Sequence, residues 1–214
     1  PVERRLADML FFSLWPDGGG HDSVVEGLRS LDRSDDIRED TREVIDLAFE
    51  SADHPVRPLS GQLGGVPLQV HARYQREEVL AALGYASLSR RPNSFREGVL
   101  YAADLNVDAF FVTLRKTEDG FSPTTMYRDY PISPELFHWE SQSVTTAASK
   151  TGQRYLTGSS TVMIFVREEK KDEFGTSPYL FLGTARYVSH EGERPIAITW
   201  RLDTPMPADL FAAG

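Results

Sequence analysis

Cysteine is absent from the whole chain, which excludes disulfides, thiolate zinc sites and a cysteine nucleophile. No apolar run approaches the ~18 residues that a transmembrane helix needs, and no secretory leader is visible. The chain therefore reads as soluble and cytoplasmic, without a membrane partner. Lysine is scarce, at 4 residues against 19 arginines, a bias that suits phosphate recognition but also follows from genome composition. The 5 histidines show no metal-ligand spacing, so no metal is expected. Catalytic signatures are missing too. There is no glycine-rich phosphate loop before a lysine, no G-x-S-x-G elbow and no H-E-x-x-H pair, so neither a catalytic residue nor a cofactor is assigned.

What is present can fill a core: hydrophobic residues make up 40% of the chain and aromatics 11%. The net charge of −9 is concentrated at the front. Residues 1–53 hold 14 acids and 6 bases, whereas residues 54–214 hold 18 and 17. An anion-binding surface in the later part is compatible with the acidic total.

The sequence opens at Pro1 and enters a helical pattern at once, as expected of a segment excised from a longer protein. Val2, Leu6, Met9, Leu10 and Phe12 recur at helical spacing up to the turn Trp15-Pro16-Asp17-Gly18-Gly19-Gly20. Ser23 and Glu26 form a capping-box pattern for a second helix carrying Val24, Val25, Leu28 and Leu31 inward. A third helix is predicted over 35–52, with Ile37, Thr41, Val44, Ile45 and Ala48 on one face. Residues 54–67, rich in proline and glycine, read as a connector. Beyond it the spacing predicts strands at 68–73, 98–102, 109–114, 162–167, 179–182 and 196–202, with one short helix over 76–83. Short strands with few helices between them give an α+β chain: a small helical segment, 1–53, followed by a mostly antiparallel β-barrel or sandwich over 68–214.

Two stretches bear on chemistry. Glu168, Glu169, Lys170 and Lys171 follow a strand directly, which is how many metal-dependent nucleases set a carboxylate beside an ammonium, with Asp104 or Asp108 as a second ligand. The alternative is a charged hairpin continuing through Asp172, Glu173 and Gly175. The second stretch, 121–143, contains Phe121, Tyr127, Tyr130, Phe137 and Trp139, interleaved with Asp129, His138, Glu140 and Gln142. Its three prolines argue against a long helix or a central strand, so much of it is expected as structured loop. Flat rings with hydrogen-bonding groups between them suit a planar heterocycle, sandwiched on its faces and read on its edge. The same pattern also fits a loop packing its aromatics onto the sheet. Arg73, Arg76, Arg90, Arg91, Lys150 and Arg154 flank the stretch as candidate phosphate contacts.

The strings V-H-A-R-Y (70–74), R-E-G-V (96–99), L-N-V-D-A-F-F-V-T-L-R-K (105–116), F-S-P-T-T-M-Y-R-D-Y-P-I-S-P-E-L-F-H-W-E-S-Q-S (121–143), T-G-Q-R-Y (151–155) and Y-V-S-H-E-G (187–192) resemble one family. It is the domain of unknown function at the C-terminus of bacterial superfamily 2 (DEAD/DEAH-type) helicases, among them modification-dependent (type IV) restriction enzymes. The resemblance covers about residues 66–211. It implies a PUA/SRA-like β-barrel that flips a modified cytosine out of double-stranded DNA, with helicase and nuclease domains upstream in the same polypeptide and a role in phage defence. Pocket roles follow from residue chemistry: Tyr127, Tyr130 and Trp139 for stacking, Asp129 or Asp104 (before Asn106) for the cytosine amino group, and Gln142 and His138 for the remaining edge. All of these require a slot walled by aromatic rings and open to solvent. Rival readings are an interaction or dimerisation module and a metal-dependent nuclease using Asp108, Glu168 and Lys170.

Overall fold

Phe11 and Phe12 fix which side of the first helix faces inward. In α1 (Val2–Leu14) both are fully buried, with Met9 beside them. Phe11 meets Phe12, Trp15 and His21 at ring separations of 5.0, 5.3 and 6.0 Å. The computed structural model describes residues 2–50, 54–95, 97–115, 128–172 and 175–213, and the chain forms two compact units, Pro1–Arg96 and Glu97–Gly214. Among the described residues, no helix is long and apolar enough to cross a membrane.

In the first unit α1 packs on α2 (Val24–Ser30) and on α4 (Arg76–Ala82). The turn before α2 needs left-handed backbone at three successive residues, with φ of 88°, 56° and 74° at Gly18, Gly19 and Gly20, which glycine adopts without strain. Ser23 caps α2 by accepting from the Glu26 N–H at 3.1 Å, while the Glu26 carboxylate reaches back to the Asp22 N–H rather than to Ser23. Val25 of α2, expected to turn inward, is exposed, and in α3 (Asp35–Glu50) Ile37, Val44 and Ile45 of the expected apolar face are exposed as well. The strand expected at 68–73 is split into β2 (Gln69–Val70), which pairs with β1 (Arg57–Pro58), and β3 (Arg73–Tyr74). Between them His71 sits at φ 70°, which no continuous strand accommodates.

Helix α4 starts with a reciprocal cap, in which the Glu78 carboxylate accepts from the Gln75 N–H at 2.7 Å. Burial pushes the Glu78 carboxyl above its usual range; the Gln75 hydrogen bond opposes the shift and the Glu77 charge adds to it. A raised folded pKa means that ionisation opposes folding, so this residue's contribution weakens as pH climbs through that raised value. Glu78→Gln keeps an acceptor for the cap and removes the charge. Melting curves from pH 3 to pH 8 should show the variant matching wild type in acid and exceeding it at neutral pH. A wild type that is the more stable at pH 7 would contradict this.

The second unit is one mixed sheet of β4 (Val99–Ala102), β5 (Val107–Thr113), β6 (Tyr130–Ser133), β7 (Leu136–Glu140), β8 (Thr161–Arg167), β11 (Tyr179–Glu191) and β12 (Ala197–Leu202). Their spatial order is β4-β5-β8-β11-β12-β7-β6, with β5 and β8 parallel and every other neighbour antiparallel. Among the described residues the order ends at β4 and β6 without closing, so the expected barrel is corrected to an open sheet. A small hairpin, β9 (Lys171–Asp172) with β10 (Gly175–Thr176), follows β8. Helix α5 (Lys150–Thr157) is bounded by the Ser149 hydroxyl, which accepts from the Gly152 N–H, and by left-handed Gly158. Helix α6 (Ala208–Ala213) ends the chain's described part.

Phe110, Phe137, Trp139, Tyr155, Ile164, Ile198 and Trp200 share one core cluster. Phe111, Phe165 and Phe181 line the opposite face of β5, β8 and β11 and stack there, Phe165 on Phe181 at 4.5 Å. Strands β5 and β8, with the first half of β11, are thus buried on both faces, which is why they read as unbroken apolar runs. Strands β7 and β12 instead alternate between half-buried and buried positions and leave one face toward solvent.

Candidate nucleic-acid interface

The solvent face of β6, β7, β12 and β11 is set by strand parity. In β7, Phe137 and Trp139 point into the core, so Leu136, His138 and Glu140 point outward. Strand registers extend each of these positions across the sheet. One row is Tyr130, His138, Thr199 and Ser189; the next toward the β12 C-terminus is Leu136, Arg201 and Arg186; on the other side lie Glu140, Ala197 and Glu191. Rows on one face are about 7 Å apart, two residues along a strand.

The middle row begins with an aromatic stack. Tyr130 and His138 lie with ring centroids 4.6 Å apart and planes 22° from parallel, and Tyr130 is 44% exposed. Arg201 is exposed one row away. Arg186 pairs with Asp203 at 2.8 Å, and Asp203 also accepts from the Thr184 hydroxyl at 2.6 Å. An exposed Tyr130 ring stacked on the half-buried His138, beside guanidinium groups, offers a flat apolar surface with positive charge at its rim, the arrangement that base stacking with phosphate contact uses.

The other expected base-binding residues fall elsewhere. Trp139 is 5% exposed and stacks on Phe110 at 4.0 Å, with Tyr155 edge-on at 5.6 Å. It is a core side chain, so its expected stacking role is corrected, because adjacent strand residues face opposite sides and His138 takes the outer one. Asp129 is buried, and one of its carboxylate oxygens accepts the Glu140 N–H at 3.0 Å, tying the approach to β6 onto β7. Gln142 is half-buried at a turn where its carbonyl accepts from the Thr145 N–H. Asp104 is exposed in the turn Ala103–Leu105. Asn106 closes that turn in left-handed conformation, donating to the Ser159 carbonyl at 2.7 Å and accepting from the Tyr101 hydroxyl at 3.0 Å. Tyr127 lies outside the described residues.

Of the phosphate candidates, Lys150 is exposed at the start of α5, and Arg73 and Arg91 are exposed in the first unit. Arg76 is partly buried, with Nη2 4.0 Å from Glu77. Arg90 is committed to structure: its guanidinium donates to the Tyr85 carbonyl at 2.5 Å and the Gly84 carbonyl at 3.2 Å, and lies over the Tyr85 ring.

Arg154 is the larger correction. Its guanidinium grips the fully buried Asp108 with two hydrogen bonds, 2.6 and 2.8 Å, and Ser160 donates to the same carboxylate at 2.6 Å. The Tyr101 ring covers the guanidinium at 3.8 Å. This partnership strengthens Arg154's hold on its proton, and burial together with the Asp108 charge pushes the Tyr155 phenol upward. Asp108 and Arg154 are 46 residues apart, and no local pattern signals the pair.

The nuclease-like grouping is not assembled. Asp108 lies opposite Val162, and Glu168 is six residues further along β8, roughly 20 Å away at the rise of a strand. Glu168 and Glu169 both pair with Arg115 at 3.5 Å, and the stretch continues into the β9–β10 hairpin. Among the described residues no three acidic or histidine side chains gather where a metal could be held.

The comparison with known families rests on the same part of the chain. The sequence profile described as "Domain of unknown function (DUF3427)" matches residues 68–213. The chain belongs to this family. No curated protein matches it. The DUF3427 match includes the whole sheet with its aromatic face, together with β2, β3 and α4 of the first unit.

Proposed function

We propose that this chain is a DNA-binding reader of modified cytosine, 5-methyl or 5-hydroxymethyl, and that the base stacks on the outer-face pair Tyr130 and His138. The observation that carries the reading is this stack, with the Tyr130 ring open to solvent and Arg201 one row away on the same sheet face. Thr199, next in the row, supplies a hydroxyl for the base edge, and Arg201 is assigned to phosphate. Family membership supports it through the resemblance to helicase-associated, SRA-like domains of modification-dependent restriction enzymes. In that setting, helicase and nuclease domains of the same polypeptide act on the DNA that this region selects. Extruding a base costs a few kcal/mol, and stacking returns about 1–3 kcal/mol per base.

Titration of matched duplexes at one fixed salt concentration tests the reading. The methylated duplex should bind roughly 5- to 150-fold tighter than the unmodified one, corresponding to about 1–3 kcal/mol of discrimination. Equal affinities would contradict base reading, and no binding to either would contradict DNA recognition altogether.

A further inference from the structure

A carboxylate stands beside the outer-face stack. Glu140 lies two residues past His138 on the same face of β7, about 7 Å along the strand. Two hydrogen bonds fix it: its N–H donates to the Asp129 carboxylate at 3.0 Å, and its Oε2 accepts from the Arg128 N–H at 3.1 Å. Arg128 precedes Tyr130 by two residues, so the second bond draws the carboxylate across to the strand that carries the exposed ring. Arg128 takes part through its backbone, with its side chain exposed. A carboxylate accepts at up to about four lone-pair sites, so Glu140 keeps capacity for a donor from a ligand. The other expected acids offer no such place. Asp129 is buried within this tie, and Asp104 sits in the turn after β4.

Stacking is blind to base identity, because every base has a flat face. The Thr199 hydroxyl can donate or accept, so it sorts bases poorly as well. A carboxylate can only accept. Cytosine meets it with an exocyclic amino donor, whereas thymine brings a carbonyl at the same ring position, whose lone pairs oppose those of the carboxylate. We infer that Glu140 is the specificity-determining residue of this face, accepting from the exocyclic amino group of the base on Tyr130 and rejecting a base with a carbonyl there. The inference rests on the stacking proposed above and adds the edge recognition that stacking lacks. 5-Methylcytosine and thymine carry the same methyl group and stack alike, yet the face separates them.

The test titrates the full 214-residue chain with two duplexes at one salt concentration, identical except for 5-methylcytosine or thymine at the target position. Each target base is set opposite an abasic position, so that neither gives up a base pair. Wild type should bind the 5-methylcytosine duplex about ten-fold or more tightly than the thymine duplex, the discrimination that a hydrogen-bonded base edge gives. Glu140→Gln keeps an oxygen for the Arg128 N–H and adds an amide donor, so thymine should gain affinity and the ratio should fall toward one. Thermal melting of this variant should match wild type. Loosening of β6 alone would weaken both duplexes equally and leave the ratio unchanged, so an unchanged ratio in Glu140→Gln would overturn the inference. Equal binding of the two duplexes by wild type, with Tyr130→Ala still weakening both, would overturn it and leave the stacking reading standing. Binding of neither duplex would overturn both.

Discussion

Arg154→Ala is expected to destabilise the chain by about 3–5 kcal/mol, the cost of leaving a buried carboxylate without its cation. Asp108 is fully buried and takes three of its hydrogen bonds from Arg154 and Ser160. Ser160 alone cannot neutralise it. Replacing both partners by leucine should cost less than the sum of the two single alanine changes, because an apolar pair leaves no charge to solvate. Urea unfolding of the single and double variants reads this directly. A loss below about 1 kcal/mol for Arg154→Ala would place the pair with ordinary surface ion pairs and contradict the account of the site.

The second large effect separates the two aromatic residues that the sequence treats alike. Trp139→Ala should cost about 3–5 kcal/mol of stability, as removal of a large ring from a packed core does. Tyr130→Ala should leave stability within about 0.5 kcal/mol of wild type, as exposed substitutions do, yet weaken binding to methylated duplex roughly 5- to 150-fold through the lost stack. Measuring both properties on both variants makes the contrast decisive. Loss of DNA affinity in a still-folded Trp139→Ala, with Tyr130→Ala unaffected, would return the base to the interior.

That contrast also shows how far the sequence could be read. The apolar runs of β5 and β8 and the alternation in β12 located those strands within a residue or two. The hairpin of β6 and β7 was hidden by its prolines. Pro131 is tolerated because β6 is the edge of the sheet, where one missing N–H leaves no partner unsatisfied, and Pro134 falls in the turn between the strands. Once 136–140 is read as a strand, His138 and Trp139 must face opposite ways, and only one can meet a ligand. Helix α3 failed differently, since its periodicity was correct but nothing within the described residues covers the face. The Asp108–Arg154 pair joins the first residues of β5 to a helix dozens of positions later, and no spacing rule reaches that far.

The central claim is that a nucleobase rests on the outer-face rings. Photocrosslinking with a duplex carrying 5-iodocytosine at the target position tests it most directly, because the activated ring couples to an aromatic residue stacked on it. Peptide mapping should recover the adduct on Tyr130 or His138, and Tyr130→Ala should lower its yield. An adduct mapped only to residues remote from β6 and β7, with Tyr130→Ala unchanged in yield, would contradict the account.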